Sequence, residues 1–243
     1  MAKTAQDRAF ILEARHRQCV ERHLKSPCKV LKEELFDDYA EDFDQHLGAL
    51  RYDVPSSLLA MLPMAKFNRC IDLGCGTGLA GVRLRDRCKV LEGVDLSHCM
   101  IEKAREKHVY DELHCRDLVA HLRRQASSTC DLMIATDVVL YLYSMAPFIA
   151  EAERVLSTGG LLAFSTESAS EEEAPRGVIE RTSERFAHTR RFILELAENF
   201  VPEDIKEVDV RLDGFAGLVK GDIFLLRLSH PEDVTKSKER EAE

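Results

Sequence analysis

The stretch Ile71-Asp72-Leu73-Gly74-Cys75-Gly76-Thr77-Gly78 constrains this chain more than any other. Arg69–Leu73 reads as a short apolar strand, and Leu79–Arg87 reads as a helix. The glycines between them remove side chains that would hold a ligand away from the backbone. The free amides of the helix that follows point back at that ligand. Strand, glycine turn and helix in this order open a doubly wound sheet, where ligands sit beyond the carboxyl ends of the strands.

The rest of the chain repeats the unit. Val90–Asp95, Tyr110–Cys115, Asp131–Thr136 and Leu161–Ser165 read as strands. Ser97–Lys107, Asp117–Arg124 and Pro147–Leu156 read as helices, with Ser97 a candidate N-cap and Gly159-Gly160 closing the last. After residue 165 the rhythm changes. Glu171–Gly177 reads as an acidic loop, Thr189–Asn199 as a helix, and Glu207–Leu212 with Asp222–Leu228 as a hairpin. Upstream, Arg8–Leu24 reads as a cap helix broken by Pro27, Leu31–Leu47 as a helix bearing aromatics at 36, 39 and 43, and Pro55–Leu62 as another ended by Pro63. The pattern predicts an α/β fold with a mostly parallel sheet and an antiparallel addition. Its parts are a helical cap or arm (1–64), a sheet domain (65–230) and a charged tail (231–243).

Length and composition agree. The 243 residues, 45% apolar and 32% charged, suit one α/β domain with an arm. No apolar run approaches the ~20 residues of a membrane helix. The net charge is −9, whereas a general nucleic-acid binder needs a basic field. Asp7, Glu13 and Glu21 argue against an acid-poor transit peptide, so a cytoplasmic location is expected, with mitochondria as the alternative. The eight cysteines form no CxxC pair and read as reduced, mostly buried thiols; no metal cluster is visible in their spacing.

Asp95 ends the strand after the glycine turn, 21 residues past Gly74, and an acid there can accept both hydroxyls of a ribose. Gly76-Thr77-Gly78-Leu79-Ala80-Gly81 also matches the GxGxxG dinucleotide fingerprint. Two features oppose a dinucleotide. Asp72 would repel a pyrophosphate but suits an ammonium, and the chain closes on a hairpin instead of a second mononucleotide half. A sulfonium nucleoside fits better.

These residues carry a resemblance. The span 36–228 is similar to class I S-adenosylmethionine (SAM) dependent methyltransferases, whose first motif matches DLGCGTG at 72–78. More narrowly, FDDYAEDFDQHL at 36–47, YDVP at 52–55, DVVLYL at 137–142 and RFAHTRRF at 185–192 resemble small methyltransferases of the tetratricopeptide-repeat-fused and Williams–Beuren-region type. The resemblance implies a Rossmann-like seven-stranded sheet in the order 3214576, with strand 7 antiparallel. It implies that Asp72, Gly74, Cys75, Gly76, Thr77 and Gly78 hold the amino-acid end of SAM, with Tyr39 on its carboxylate. Asp95 would take the ribose, Leu96 and Met100 the adenine face, Asp117 the adenine N6 amine and the Leu118 amide N1. Asp117 is also a candidate helix cap, and Met100 a candidate core residue.

Thr136 and Asp137 end the fourth strand and should face the methyl group. The Asp-Pro-Pro-Tyr and Asn-Pro-Pro-Tyr motifs are absent, and Asp137 and Tyr141 stand one residue further apart than in the Asp-x-x-Tyr of protein-lysine enzymes. Asp137, Tyr141 and His188 are the catalytic candidates; a His near its ordinary pKa can deprotonate an acceptor. Arg185 and Arg191 are candidates to pair with an acidic substrate. The expected reaction is methyl transfer from SAM to an O or N of a small molecule, leaving S-adenosylhomocysteine, with no metal required. A protein or peptide acceptor, a SAM-binding pseudoenzyme subunit and, more distantly, NAD-dependent redox chemistry are the alternatives.

Overall fold

The computed structural model describes residues 29–49, 53–142, 144–181, 183, 185–213 and 217–229. The expected helix Arg8–Leu24, its break at Pro27 and the charged tail lie outside them. Three helices precede the sheet: α1 (Lys29–Tyr39), α2 (Phe43–Ala49) and α3 (Val54–Met61). The single helix expected over 31–47 is therefore two, separated by a turn at Ala40–Asp42.

The first five strands are β1 (Phe67–Leu73), β2 (Cys88–Asp95), β3 (Glu112–Cys115), β4 (Cys130–Ala135) and β5 (Leu156–Ser168). They alternate with α4 (Leu79–Leu84), α5 (His98–Glu106), α6 (Leu118–Leu122) and α7 (Ala146–Val155). Then come β6 (Val178–Glu180), β7 (Phe186–His188), α8 (Arg190–Leu196), β8 (Phe200–Asp213) and β9 (Gly217–Leu228).

Strands β3, β2, β1, β4 and β5 lie side by side and parallel, β9 joins β5 antiparallel, and β8 joins β9. Read across, this is the expected 3214576 path with its antiparallel strand, carried by β9. Two short strands bring the sheet to nine. Glu167 of β5 pairs with both Gly221 of β9 and Ala187 of β7. A strand has two edges, so β7 occupies the edge that β4 holds lower down, where the last β4 pair is Ala135 with Phe164. The β6–β7 hairpin therefore sits beyond the carboxyl end of β4, above the position of Asp137.

Gly159-Gly160 does not close α7, as expected from sequence. The helix ends at Val155, and the pair lies inside β5, beside a register shift against β4. Gly159 has φ +78°, a local bend with open space around it.

Period-2 alternation sorts the strands into two apolar faces. Ile71, Leu73, Met133, Leu162 and Phe164 pack with α6, α7 and α8. Cys70, Leu91, Leu132, Ile134 and Leu225 pack with α3 and α4, while Ile101 and Ala104 of α5 meet Cys75. The six cysteines among the described residues are free thiols, four of them buried. No helix among the described residues is long and apolar enough to cross a membrane.

Candidate functional site

The turn after β1 is wound on the end of β2. The amides of Gly74 and Cys75 both donate to the Val94 carbonyl, at 2.7 and 2.9 Å. Gly76 N–H donates to Asp95 Oδ2 at 2.8 Å, and Ser97 N–H to Asp95 Oδ1 at 2.9 Å. Burial pushes the Asp95 carboxyl up, and these amides pull against it. Gly74, Gly76 and Gly78 all have positive φ (69°, 53° and 91°). At Gly74 a Cβ would lie 2.5 Å from Val138, so only glycine lets the turn pass under the end of β4.

Asp72 is fully buried. Its Oδ2 accepts from the Tyr110 hydroxyl at 2.7 Å, while Oδ1 has no hydrogen-bond partner. Burial pushes its carboxyl up to about 7, with Tyr110 opposing and Asp95 adding to the rise. The Tyr110 ring crowds Gly78, Gly81 and Gly93, each from a different element. Sequence reasoning missed Tyr110; the glycines on adjoining elements were the signal that something bulky needed their space.

Helix α2 is pinned to the turn. The buried Thr77 hydroxyl donates to Asp44, whose other oxygen meets Lys107 Nζ at 2.7 Å. Helix α1 is pinned to α5. Asp37 accepts from Ser97 Oγ at 2.5 Å and from the Cys99 amide at 3.0 Å, while Ser97 caps α5 as expected by accepting from Met100 N–H. Leu96 is half-buried and Met100 buried. Asp117 is the N-cap of α6, its Oδ1 accepting from Ala120 N–H at 2.9 Å, and Leu118 is buried just inside that helix.

A second cluster forms past β4. Thr136 and Asp137 are half-buried. Asp137 has φ +50° and is locked by Ser165, whose hydroxyl accepts from the Asp137 amide at 2.8 Å and donates to its carboxylate at 2.7 Å. A non-glycine residue held in the left-handed region costs about 1–3 kcal/mol and persists only where its surroundings fix it. The next turn presents Tyr141, which accepts from Arg185 Nε at 3.1 Å, lies 5.5 Å beneath that guanidinium and meets Phe36 edge-on. Burial acts to lower the Arg185 pKa, but Tyr141, Glu167 and Asp137 together hold it above its ordinary value. Burial, with Tyr141 adding and Arg185 opposing, pushes the Tyr39 phenol up to about 12; its ring meets Phe43 edge-on at 5.2 Å. Tyr39, Asp137, Tyr141 and Arg185 thus converge from three segments.

His188 stands apart from this pattern. Burial pulls it down to about 4, so it does not titrate near neutrality as expected. Its Nδ1 is buried without a partner, and its ring lies parallel to Phe192 at 6.2 Å. With Met145, Val178, Glu180, Phe186 and Phe192 it lines a cavity of about 360 Å³. Arg191 points outward into ion pairs with Glu171 and Glu195.

Against known proteins, residues 71–164 match a family model described as a methyltransferase domain. Malonyl-[acyl-carrier protein] O-methyltransferase of Enterobacter lignolyticus is 32% identical over 131 residues, 54% of this chain and 51% of that protein. The enzyme of the same name from a Marinomonas strain is 32% identical over 140 residues, covering 54% and 49%. The chain spans about half the length of these curated relatives. Solved structures share the fold. A chain from the complex of the Haloferax volcanii Trm112 methyltransferase activator with a methyltransferase superposes with a TM-score of 0.62 at 16% identity, over 80% of this chain and 98% of that one. The N-methyltransferase NodS of Bradyrhizobium japonicum, bound to S-adenosylhomocysteine, gives 0.56 at 18%, over 72% and 86%. The glycine turn and the 3214576 path lie in or around the matched span: residues 71–164 resemble a methyltransferase domain, within the Rossmann-like fold that these solved structures share.

Proposed function

We propose that the protein is a SAM-dependent methyltransferase acting on an oxygen of a small or carrier-tethered acceptor. The observation that carries this reading is the glycine turn held between two acids on adjacent strand ends, Asp72 with one buried oxygen unpartnered and Asp95 braced by two amides. An orphaned carboxylate oxygen needs a donor, and the ammonium of an amino acid, directly or through water, is one that this turn can admit. Bound there, SAM supplies a methyl group made electrophilic by its sulfonium.

The chain's own part is to bind, align and exclude water. Asp72 and the turn from Gly74 to Gly78 would take the amino-acid end, Asp95 the ribose and Asp117 with the Leu118 amide the adenine edge. Leu96 would flank the ring, with Met100 beneath. Tyr39 would reach the carboxylate, and α1 and α2 would serve as a lid. Thr136 and Asp137, fixed by Ser165, would orient the acceptor, with Tyr141 beside it.

A carboxylate is the acceptor class to test first. The named relatives are O-methyltransferases of a malonyl group, and Arg185 offers a fixed positive charge near Asp137. A carboxylate acceptor is ionised at neutral pH and needs no general base. That suits His188, whose proton affinity burial has removed from the neutral range.

Calorimetric titration of the full chain with SAM and, in parallel, NAD tests the reading. Micromolar SAM binding that weakens at least tenfold in Asp95→Asn, followed by methyl transfer to acyl carboxylates, is the expected result. NAD binding without SAM binding would overturn it.

A further inference from the structure

On the face of the sheet covered by α6, Glu92, His114 and His121 meet. Glu92 sits on β2 and is buried, His114 sits beside it on β3, and the buried His121 closes over both from α6. His121 Nε2 lies 2.7 Å from Glu92 Oε1, and His114 Nε2 lies 3.0 Å from the same oxygen. One ligand atom from each residue falls within 4.8 Å of the others. Glu112 Oε2, at the solvent rim, is 3.3 Å from His114 Nε2.

Around this group the supporting contacts are already in place. Arg69 holds the other Glu92 oxygen at 2.6 Å, and Gln125 Oε1 accepts from the same guanidinium at 2.7 Å. That contact fixes the Gln125 amide so that its nitrogen faces His121 Nε2 at 2.8 Å. No single protonation state of His121 suits both neighbours. A proton on Nε2 suits Glu92 and confronts the amide hydrogens; a lone pair suits the amide and confronts the carboxylate. A cation shared by Oε1 and the two imidazoles relieves the clash between lone pair and carboxylate, the His121 Nε2 lone pair passing from the Gln125 amide to the ion.

Two imidazoles and a carboxylate, the latter oriented by an outer partner, form a donor set for zinc and related borderline divalent ions. We propose that Glu92, His114 and His121, with Glu112 at the rim beside His114, form a structural site for a divalent transition metal of the zinc type, separate from the methyl-transfer site. The ion would tie β2, β3 and α6 together. Asp95 and Asp117 stand at the ends of two of these elements, so the site braces the nucleoside side of the sheet without touching it.

The experiment uses the full chain, freed of metal by chelator, titrated with Zn(II) against a chromophoric chelator and separately with Co(II). One equivalent is expected to bind and to raise the melting temperature by ~5 °C. Co(II) should give the ligand-field absorption of a tetrahedral site and no thiolate charge-transfer band. His114 is part-exposed, so His114→Gln should fold, and it should weaken Zn(II) binding at least ~10-fold. His121→Gln should weaken it further. Binding unchanged in His114→Gln, a thiolate band, or no stoichiometric binding would overturn the proposal and leave the group as a proton-linked ion pair. Because the readout is metal affinity, it fails or succeeds independently of SAM binding.

Discussion

Gly74 and Gly76 both adopt left-handed backbone, yet their surroundings differ. A Cβ at Gly74 would lie 2.5 Å from Val138, whereas at Gly76 its nearest neighbour is Phe43 at 3.8 Å. Gly76→Ala is therefore expected to cost about 1 kcal/mol, the strain of the backbone alone. Gly74→Ala adds an overpacking cost and should lose about 3 kcal/mol or more. Urea unfolding of the two variants measures this, and equal losses would refute the packing account. Asp72 makes a different prediction. Its folded-state pKa is raised to about 7 by burial, and an ammonium placed against it would drive off the proton. Near pH 7, SAM binding should then release a fraction of a proton per site, seen as a dependence of the calorimetric heat on buffer ionisation enthalpy. Asp72→Asn should abolish that dependence and weaken binding.

At the scale of elements, the proposed lid helices meet the rest of the site through polar contacts that can be tested singly. Helix α2 reaches the glycine turn through Asp44, Thr77 and Lys107, and the Asp44–Lys107 pair is part-exposed. Such a pair contributes about 1 kcal/mol or less to stability. Asp44→Ala should therefore leave the melting temperature within a few degrees while weakening SAM binding about three- to tenfold. A large stability loss without a binding change would remove α2 from the lid. These elements also show what the sequence made legible. The five β/α units and the closing hairpin were readable because each is a local pattern of apolar period and turn residues. The break at Ala40–Asp42 was not, since Tyr39 and Phe43 keep helical spacing and still meet. Nor were β6 and β7, whose three residues each depend on β5 for a partner. Gly159-Gly160 read as a helix stop because a glycine pair looks alike in a cap and in a bent strand. In the site, the turn and Asp95 were visible as a motif. Tyr110, Ser165 and the triad Glu92, His114 and His121 were not, because sequence distance conceals what sheet register brings together.

The whole molecule integrates two buried groups that titrate in opposite senses. His188 is pulled down to about 4 from 6.5, so the unfolded chain binds the proton first, and stability is lost as pH falls from about 6.5 toward 4. Asp72 is raised to about 7 from 3.8, so its contribution is present at low pH and lost as pH rises from about 4 through 7. The two slopes oppose each other between pH 4 and 7. Denaturation across that range should show stability falling more steeply with acid in Asp72→Asn than in the wild type, because the contribution that opposes His188 is gone. The opposite slope should appear in His188→Gln. The same strand that joins these halves, β5, runs past β4 and carries β7 on its last two residues, with Ala169 N–H donating to His188 O at 3.0 Å to close the base of the excursion. The chain leaves β5 at Ser168 and returns in β7, and the one described strand between, β6, pairs with β7. That segment is a cassette. On the proposed reading it borders the acceptor, and insertion, deletion or exchange there would alter acceptor preference without disturbing the glycine turn and its two acids.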